Sequence, residues 1–205
     1  MSNDIKIKNG LTIKLKGAAN NIIKKAALPK FVSINPSNFH LIIPKMVVKV
    51  GDSVQQGDVI FFSKKDERIK FCSPVDGIIK DISRGAKRKI IEIIIEVDEK
   101  QNTKSLKKIN HETLDPENIK NILLSSGCWP FIKQRPYDVI SNPSDDPKSI
   151  FISAFNSAPI AADLQIILEN QKEEFKNGIK ILAKLTSGDV NICVDKNSSS
   201  FINKL

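Results

Sequence analysis

The stretch that most constrains the fold runs from Val47 to Val97, where short β-branched runs alternate with tight turns. Gly-Asp pairs stand at 51–52 and 57–58, and an Asp-Gly pair stands at 76–77. Glycine reaches positive φ without a Cβ clash, so such pairs between β-branched residues are typical of hairpin turns. The runs at 47–50, 59–62, 69–71, 78–82 and 90–97 are the predicted strands. Strands this short, with turns this frequent, predict a compact sandwich or barrel.

The order of these turns resembles the barrel-sandwich hybrid fold of biotinyl and lipoyl domains, in which a GDxVxxGDxI half precedes an SPxxGxI half. The match is carried by Gly51, Asp52, Val54, Gly57, Asp58, Ser73, Pro74 and Gly77. Carrier domains present a lysine for covalent attachment in the turn between the halves. Here that turn reads SKKDERIK, without the Met-Lys-Met of biotinyl domains or the Asp-Lys-Ala of lipoyl domains. The turn therefore argues against a carrier role.

Composition places the chain among soluble globular proteins, with 205 residues and 40% hydrophobic content. No window approaches the ~20 apolar residues of a membrane span, and the first ten residues lack an apolar signal core. We therefore expect a cytoplasmic protein without a transmembrane segment of its own.

Cys72, Cys128 and Cys193 form no CxxC pair and are interpreted as small buried thiols. His40 and His111 are the two histidines, too few for a multi-histidine metal site.

The net charge of +9 is concentrated in the first half of the chain. Residues 1–100 hold 19 Lys and Arg against 11 Asp and Glu, whereas residues 101–205 hold 13 against 12. Such a front half suits an acidic protein partner, an anionic lipid surface or nucleic acid, and solvated lysine-rich strand faces are the plain alternative. Nucleic acid ranks last, because the basic half offers few aromatic rings to stack on bases.

Local patterns predict the elements on either side of the central stretch. Asp4 to Leu15 alternates apolar and lysine residues around Asn9-Gly10, which predicts a hairpin. A strand is expected near 31–34. Further along, Asp115 and Pro116 are typical of a helix start, and Gly127 is typical of its end. The predicted buried stripe of this helix is Ile119, Ile122 and Leu123.

The loop CWPFIKQRPYD at 128–138 gathers the only Trp, the only Tyr, a Phe, two prolines and two cations. Aromatic and arginine residues in a proline-stiffened loop are typical of interfaces. The alternative is a loop that fills the space between two domains. Both interpretations stay open at this point.

The last part of the chain reads as a β-α-β unit. A buried strand is predicted over Ser149–Phe155, one amphipathic helix over Asp163–Leu185 ended by Gly188, and a second buried strand over Val190–Val194. Such a unit implies two parallel strands with a right-handed crossover. It is similar to the opening of a Rossmann-like domain, whose remaining strands we expect beyond Leu205, although no GxGxxG is present.

The predicted fold class is therefore α+β and multidomain, with a β-rich barrel-sandwich hybrid followed by the start of an α/β Rossmann-like domain. We expect a barrel-sandwich domain with its N-terminal hairpin at 1–100, and a linker with one helix and the aromatic loop at 101–148. A first β-α-β unit should occupy 149–205.

Taken together, these segments resemble the A-subunit family of the sodium-translocating NADH:quinone reductases (Na+-NQR). The C-subunit of the Rnf complex is a more distant relative in its N-terminal domain. The resemblance is carried by short pieces in a fixed order: IKIKNGL at 5–11, Val50-Gly51-Asp52 with Gly57, Ser73-Pro74 with Gly77, RGAKR at 84–88, SGCW at 126–129 with Arg135-Pro136, FISAF at 151–155 with Ala158-Pro159, and FKNG at 175–178.

The resemblance implies a peripheral subunit on the cytoplasmic face of the bacterial inner membrane. Its complex oxidises NADH, reduces ubiquinone and exports sodium, so the chain would belong to an enzyme without being catalytic alone. The flavins and the iron-sulfur centre would lie on other subunits, and no cofactor is expected on this chain. The membrane-embedded B-subunit is the expected partner, with quinone a further possibility and nucleic acid none.

Two features exceed what local geometry requires and are the predicted partner contacts. One is the basic turn with Arg84, Lys87 and Arg88; the other is the aromatic loop with Trp129, Phe131, Lys133 and Arg135. No catalytic or metal site is predicted, because clustered carboxylates, phosphate-binding glycine loops and metal-ligand spacings do not occur.

Overall fold

The computed structural model describes residues 15–17, 20, 22–102, 113–156, 158, 160–194 and 202. The hairpin predicted for Asp4–Leu15 lies outside these residues apart from Leu15, and so does His111. The elements of the first half are β1 (Phe31–Ile34), β2 (Pro44–Met46), β3 (Ser53–Val54), β4 (Val59–Ser63), β5 (Lys70–Cys72), β6 (Gly77–Arg84) and β7 (Ile90–Val97). Those of the second half are α1 (Pro116–Ser125), β8 (Lys133–Gln134), β9 (Val139–Ile140), β10 (Ile150–Ser153), α2 (Leu164–Leu168), α3 (Lys172–Ala183) and β11 (Val190–Cys193).

The first half forms two antiparallel sheets with a shared core, as the turn pattern predicted. One sheet has the order β1-β7-β6-β3 and the other has the order β2-β4-β5. The alternation of β7 turns Ile93 and Ile95 inward, where both are fully buried. In β4 the neighbours Ile60 and Phe61 are both fully buried, because the pairing register shifts between Val59 and Phe61. The prediction of a β-rich first half followed by an α/β segment is confirmed.

Both Gly-Asp pairs form the same turn. Gly51 has φ +93° and Gly57 has φ +90°, which matches the third position of a type II turn. Asp52 donates its backbone N–H to the Lys49 carbonyl and accepts the Lys49 N–H on Oδ2 at 2.8 Å. Asp58 pairs with Gln55 in the same way. This first turn begins at Lys49, inside the strand predicted at 47–50, and β2 ends at Met46.

Gly77 is not part of a turn, contrary to the sequence interpretation of Asp76-Gly77. It begins β6, and a Cβ at this position would overlap the carbonyl oxygen of Glu96. Glycine is therefore required because two strands approach closely, and the change of direction occurs in the preceding residues 74–76.

The buried carboxylate of Asp76 joins two segments of the first half through hydrogen bonds. It accepts hydrogen bonds from the backbone N–H groups of Gln56 and Asn102, both at 2.6 Å. The side chain of Gln101 accepts a hydrogen bond from the Asp76 N–H at 2.8 Å and donates one to the Asp76 carbonyl at 3.0 Å. We call this set of hydrogen bonds around Asp76 the clasp. The chain that leaves β7 is thus held by side chains as well as by the sheet.

Helix α1 begins and ends as predicted. The Asp115 carboxylate accepts the Asn118 N–H at 2.7 Å, and Gly127 adopts φ +74° after the last turn. Its buried stripe was predicted correctly only at Ile119: Leu124 is the other buried residue, whereas Ile122 and Leu123 are partly buried.

The β-α-β prediction is confirmed in its topology, because β10 and β11 pair in parallel from Ile150 opposite Val190 to Ser153 opposite Cys193. The strands were predicted to be buried, but Phe151 is 70% exposed. The inward faces are half-buried, so the apolar runs do not lie at the centre of a sheet in the described part of the chain.

The single helix predicted over Asp163–Leu185 is two helices. The apolar spacing jumps from Leu168 to Phe175, and Gln171 between them has φ −128°. Without an apolar stripe in this interval, nothing holds the backbone in a continuous helix. Gly188 does not end α3, which stops at Ala183; a Cβ at Gly188 would overlap the Lys148 carbonyl. None of the described helices combines the length and apolar character that a bilayer span requires.

Candidate partner-docking surface

The basic turn is the connection between β6 and β7, the longest strands of the described chain. The two strands are paired from Gly77 opposite Val97 to Arg84 opposite Ile90, and Ile90 at the base of the turn is buried. The turn therefore stands on a rigid two-stranded support rather than on a mobile loop.

The left-handed conformation in this turn is adopted by two cations and not by its glycine. Gly85 has φ −99°, whereas Lys87 and Arg88 adopt the left-handed values +54° and +59°. Two non-glycine residues in this region cost roughly 1 kcal/mol each. A Cβ at Gly85 would lie 2.8 Å from Cδ1 of Ile91, the far end of an exposed side chain that can move away.

The cations of the turn are all exposed. Among the described residues, no carboxylate forms an ion pair with Arg84, Lys87, Arg88 or Lys89, and Arg84 Nη1 donates to the Arg88 carbonyl at 3.5 Å. Elsewhere on the barrel Lys80 pairs with Glu96 at 2.9 Å. The turn therefore concentrates positive charge at one end of the ribbon.

Trp129 was predicted to contact a partner, but it is buried in this structure. It is 4% exposed, belongs to the core cluster, and donates its Nε1–H to the carbonyl of Ser141 at 2.8 Å. Pro130 beside it is also buried. These two residues fill the space against the barrel, which is the second of the two interpretations of the loop.

The rest of the aromatic loop faces solvent. Phe131 is 75% exposed and touches Phe39 only edge-on, with ring centroids 6.4 Å apart. Lys133 and Arg135 are exposed on the β8–β9 hairpin, where Lys133 Nζ lies 3.9 Å from a carboxylate oxygen of Asp138. The loop thus combines a core-filling side with an exposed side.

Tyr137 is a surface aromatic that the set of predicted contacts omitted. It is 70% exposed in the turn of the β8–β9 hairpin, beside Arg135. In the sequence, its position in the same proline-stiffened loop was the feature that could have identified it. No hydrogen bond, ion pair or ring contact among the described residues links this hairpin to the basic turn, so the structure presents them as two separate candidate contacts.

The lysine turn between β4 and β5 is held by its own side chains and by the linker. Arg68 pairs with both carboxylate oxygens of Asp66, at 2.7 to 3.2 Å, and also donates to Oγ of Ser144 at 3.0 Å. The hydrogen bonds from Arg68 lower the pKa of Asp66 below its ordinary value. Lys64 and Lys65 are exposed beside this pair.

Two clefts flank the same turn. One, of about 380 Å³, is lined by residues that include His40, Lys65 and Asn142, and the other, of about 420 Å³, by residues that include Arg68 and Asn118. Within the described ranges, no three His, Cys, Asp or Glu side chains lie close enough together to hold a metal ion.

The thiols were interpreted as buried, and this is wrong for two of them. Cys128 and Cys193 are exposed, whereas Cys72 is half-buried.

Two domain families match this chain in order. Residues 5–98 match the family described as the NqrA N-terminal barrel-sandwich hybrid domain, and residues 114–205 match the NqrA second alpha/beta domain. The second match includes α1 and the aromatic loop as well as the β-α-β unit.

Curated relatives belong to the same family. The chain is 34% identical over 190 residues to the A-subunit of the Na(+)-translocating NADH-quinone reductase of a Marinomonas species, covering 92% of this chain and 43% of the relative. The corresponding protein of Photorhabdus laumondii is 34% identical, with the same coverage of both chains. That of Pseudomonas aeruginosa is 33% identical, over 88% of this chain and 41% of the relative.

The chain spans about two fifths of the length of these relatives. The two matched segments together take in most of its residues, and they follow one another as the folds of the two halves do. This chain belongs to the NqrA family, the A-subunits of the Na+-translocating NADH-quinone reductases, in the region of the N-terminal barrel-sandwich hybrid and second α/β domains.

Proposed function

We propose that this chain supplies the first two domains of the NqrA component in a sodium-pumping NADH:quinone reductase, and that it docks and positions this component on its partners. The observation that carries the docking role is the group of exposed cations at the end of the β6–β7 ribbon, for which the described part of the chain supplies no ion-pair partner: Arg84, Lys87, Arg88 and Lys89. Exposed charge of one sign steers association and selects acidic partners.

The names of the relatives describe enzymes that use NADH and quinone and that translocate sodium. We extend this activity to the complex that contains this chain, with ubiquinone as the acceptor. Flavins and an iron-sulfur centre on other subunits would carry the electrons. The chain itself acts as a scaffold at the cytoplasmic face of the membrane, and the membrane-embedded B-subunit is the proposed partner.

The basic turn and the β8–β9 hairpin with Phe131 contribute to docking in different ways, because their chemistry differs. The cations of the basic turn are exposed to solvent, so they contribute mainly to the rate of encounter. Phe131 offers apolar area, and Arg135 offers a fork that can pair with a carboxylate, so the β8–β9 hairpin contributes mainly to the lifetime of the complex. This division predicts different kinetic effects for substitutions at the two places.

The test is association of the complete NqrA component with detergent-solubilised membrane subunits, measured at low and high salt. Lys87→Glu with Arg88→Glu is expected to slow association about tenfold at low salt and to weaken its salt dependence, with little change in dissociation. The matched control is Lys64→Glu with Lys65→Glu, which makes the same charge change in another exposed turn of the barrel. Equal slowing in both variants would mean that overall charge, not the basic turn, steers docking.

Phe131→Ala tests the second surface in the same assay. Because this ring is exposed, its removal should leave the melting temperature unchanged and speed dissociation several-fold. Unchanged dissociation of the folded variant would exclude Phe131 from the interface.

The alternative function is a carrier or other non-catalytic binding module, and the exposure of Lys64 and Lys65 is the observation in its favour. The contact between Arg68 and Ser144 ties the linker to the same turn, which restricts the approach of a modifying ligase. Intact mass after co-expression with biotin and lipoyl ligases separates the two functions. A mass increase located at either lysine would replace the scaffold proposal.

A further inference from the structure

Cys72 and Cys128 are far apart in sequence but meet in the fold. Cys72 ends β5 of the barrel, and Cys128 follows the residue that terminates α1. A Cβ built on Gly127 would lie 2.7 Å from Sγ of Cys72 and 3.0 Å from its Cβ. The Cys72 side chain therefore rests directly on the residue next to Cys128, whose Cα is only about 3.8 Å further along the chain.

Both thiols are free, and their surroundings differ. Cys128 is exposed, and Cys72 is half-buried under Gly127. Burial raises the pKa of Cys72, and the nearby Cys128 raises it further. An exposed thiol beside a shielded one is the arrangement in which the first reacts with an oxidant and the second resolves the product.

We propose that Cys72 and Cys128 form an intramolecular disulfide when the protein meets a hydroperoxide, and that this bond cross-links strand β5 of the barrel to the turn after α1. Nothing in the docking role requires this bond. It would join a residue of the barrel-sandwich segment to a residue of the segment matched to the second domain. The orientation of α1 and the aromatic loop on the barrel would then be fixed covalently.

The chemistry balances with the hydroperoxide as the oxidant. The Cys128 thiolate attacks one peroxide oxygen, the O–O bond breaks, and the leaving oxygen takes a proton to form water or an alcohol. This gives a sulfenic acid on Cys128. The Cys72 thiolate then attacks that sulfur, the S–O bond breaks, and the oxygen leaves as water. Two thiols lose two electrons and two protons in total.

The experiment treats the reduced full chain with hydrogen peroxide and maps the products by mass spectrometry. Trypsin should release the peptides 71–80 and 121–133 as one linked species that reductant separates. Its rate of formation should not depend on protein concentration, because the bond is within one chain. Cys193→Ser is the matched variant, because it removes the third, exposed thiol and should leave the linked species unchanged.

A second variant tests the order of the two steps. In Cys72→Ser the sulfenic acid on Cys128 has no resolving thiol, so labelling by dimedone at Cys128 should rise several-fold over wild type. The proposal is overturned if wild-type Cys72 and Cys128 both remain open to alkylation after the peroxide is consumed. It is equally overturned if Cys128 proceeds to sulfinic acid with no linked peptide, or if the link forms only between chains.

Discussion

The indole Nε1–H of Trp129 donates a 2.8 Å hydrogen bond to the backbone carbonyl of Ser141, across the β8–β9 hairpin. This contact closes the base of the aromatic loop, while Phe131, two residues further on, is exposed. One short loop therefore combines a core anchor with a surface ring. Substitution by alanine should therefore lower the free energy of unfolding strongly at Trp129 and hardly at all at Phe131.

Trp129→Ala should lower the free energy of unfolding by about 3–5 kcal/mol, because it removes a buried aromatic ring and leaves a cavity. Trp129→Phe should lower it by about 1–3 kcal/mol, since the Ser141 carbonyl loses its donor. Phe131→Ala is the control and should change it by less than about 0.5 kcal/mol. Urea denaturation measures all three, and equal effects at the two positions would contradict the assignment of Trp129 to the core.

Asp76→Ala should destabilise the barrel by about 2–4 kcal/mol, because the backbone N–H groups of Gln56 and Asn102 both lose their hydrogen bonds to a buried carboxylate. Asp98→Ala is the matched control, since Asp98 contributes to the same clasp only through backbone atoms. Thermal melts of the two variants give the comparison. A melting temperature for Asp76→Ala close to that of Asp98→Ala would show that the clasp is not needed.

Gly127→Ala should destabilise by about 1–3 kcal/mol, because its φ of +74° disfavours a side chain and the new Cβ would press on Cys72. Gly178→Ala in α3 is the opposite case, since a Cβ there meets nothing within 4 Å. It should stabilise by about 0.5–1 kcal/mol through helix propensity. Destabilisation by Gly178→Ala, or neutrality of Gly127→Ala, would contradict the packing of these two glycines.

Acid should remove a small part of the stability through Asp66. Its pKa in the folded protein lies below its ordinary value of 3.8, mainly because Arg68 hydrogen-bonds the carboxylate. A lowered pKa means that this contribution is present above about pH 4 and is lost as the pH falls through the folded value. The pair is largely solvated, so the effect should stay below about 1 kcal/mol.

The measurement is urea denaturation of wild type and Asp66→Asn between pH 3 and pH 7. The two stability curves should be separated at neutral pH and should converge as the pH falls below about 4. A constant separation across the whole range would show that the pair does not contribute through ionisation.

The features that could be predicted have local signals. Gly51 and Gly57 satisfy the positive φ of their turns within four residues, and Asp115 caps α1 through a residue only three positions away. Strands β7, β10 and β11 follow from runs of apolar residues of the appropriate length. In each case the residues that determine the conformation are neighbours in sequence; the parallel pairing of β10 with β11 was inferred from the helix between them.

The partner-contact set was predictable only in part. Arg84, Lys87 and Arg88 are exposed as expected, since charged residues in a hairpin turn have little reason to be buried. Trp129 was misassigned because an aromatic residue in a loop fits either a core or an interface, and nothing next to it in sequence distinguishes them. Its environment is supplied by Ser141 and by barrel strands that are distant in sequence.

The sequence by itself thus determined the turns at Gly51 and Gly57, the N-cap of α1, the β-α-β pattern and the family of this chain. The tertiary structure alone decided that Gly77 and Gly188 lie where another backbone approaches closely, and that Cys72 meets the end of α1. It also divided the long predicted helix at Gln171. The physical reason is range: backbone conformation depends on neighbours along the chain, whereas burial and contact depend on segments that only folding brings together.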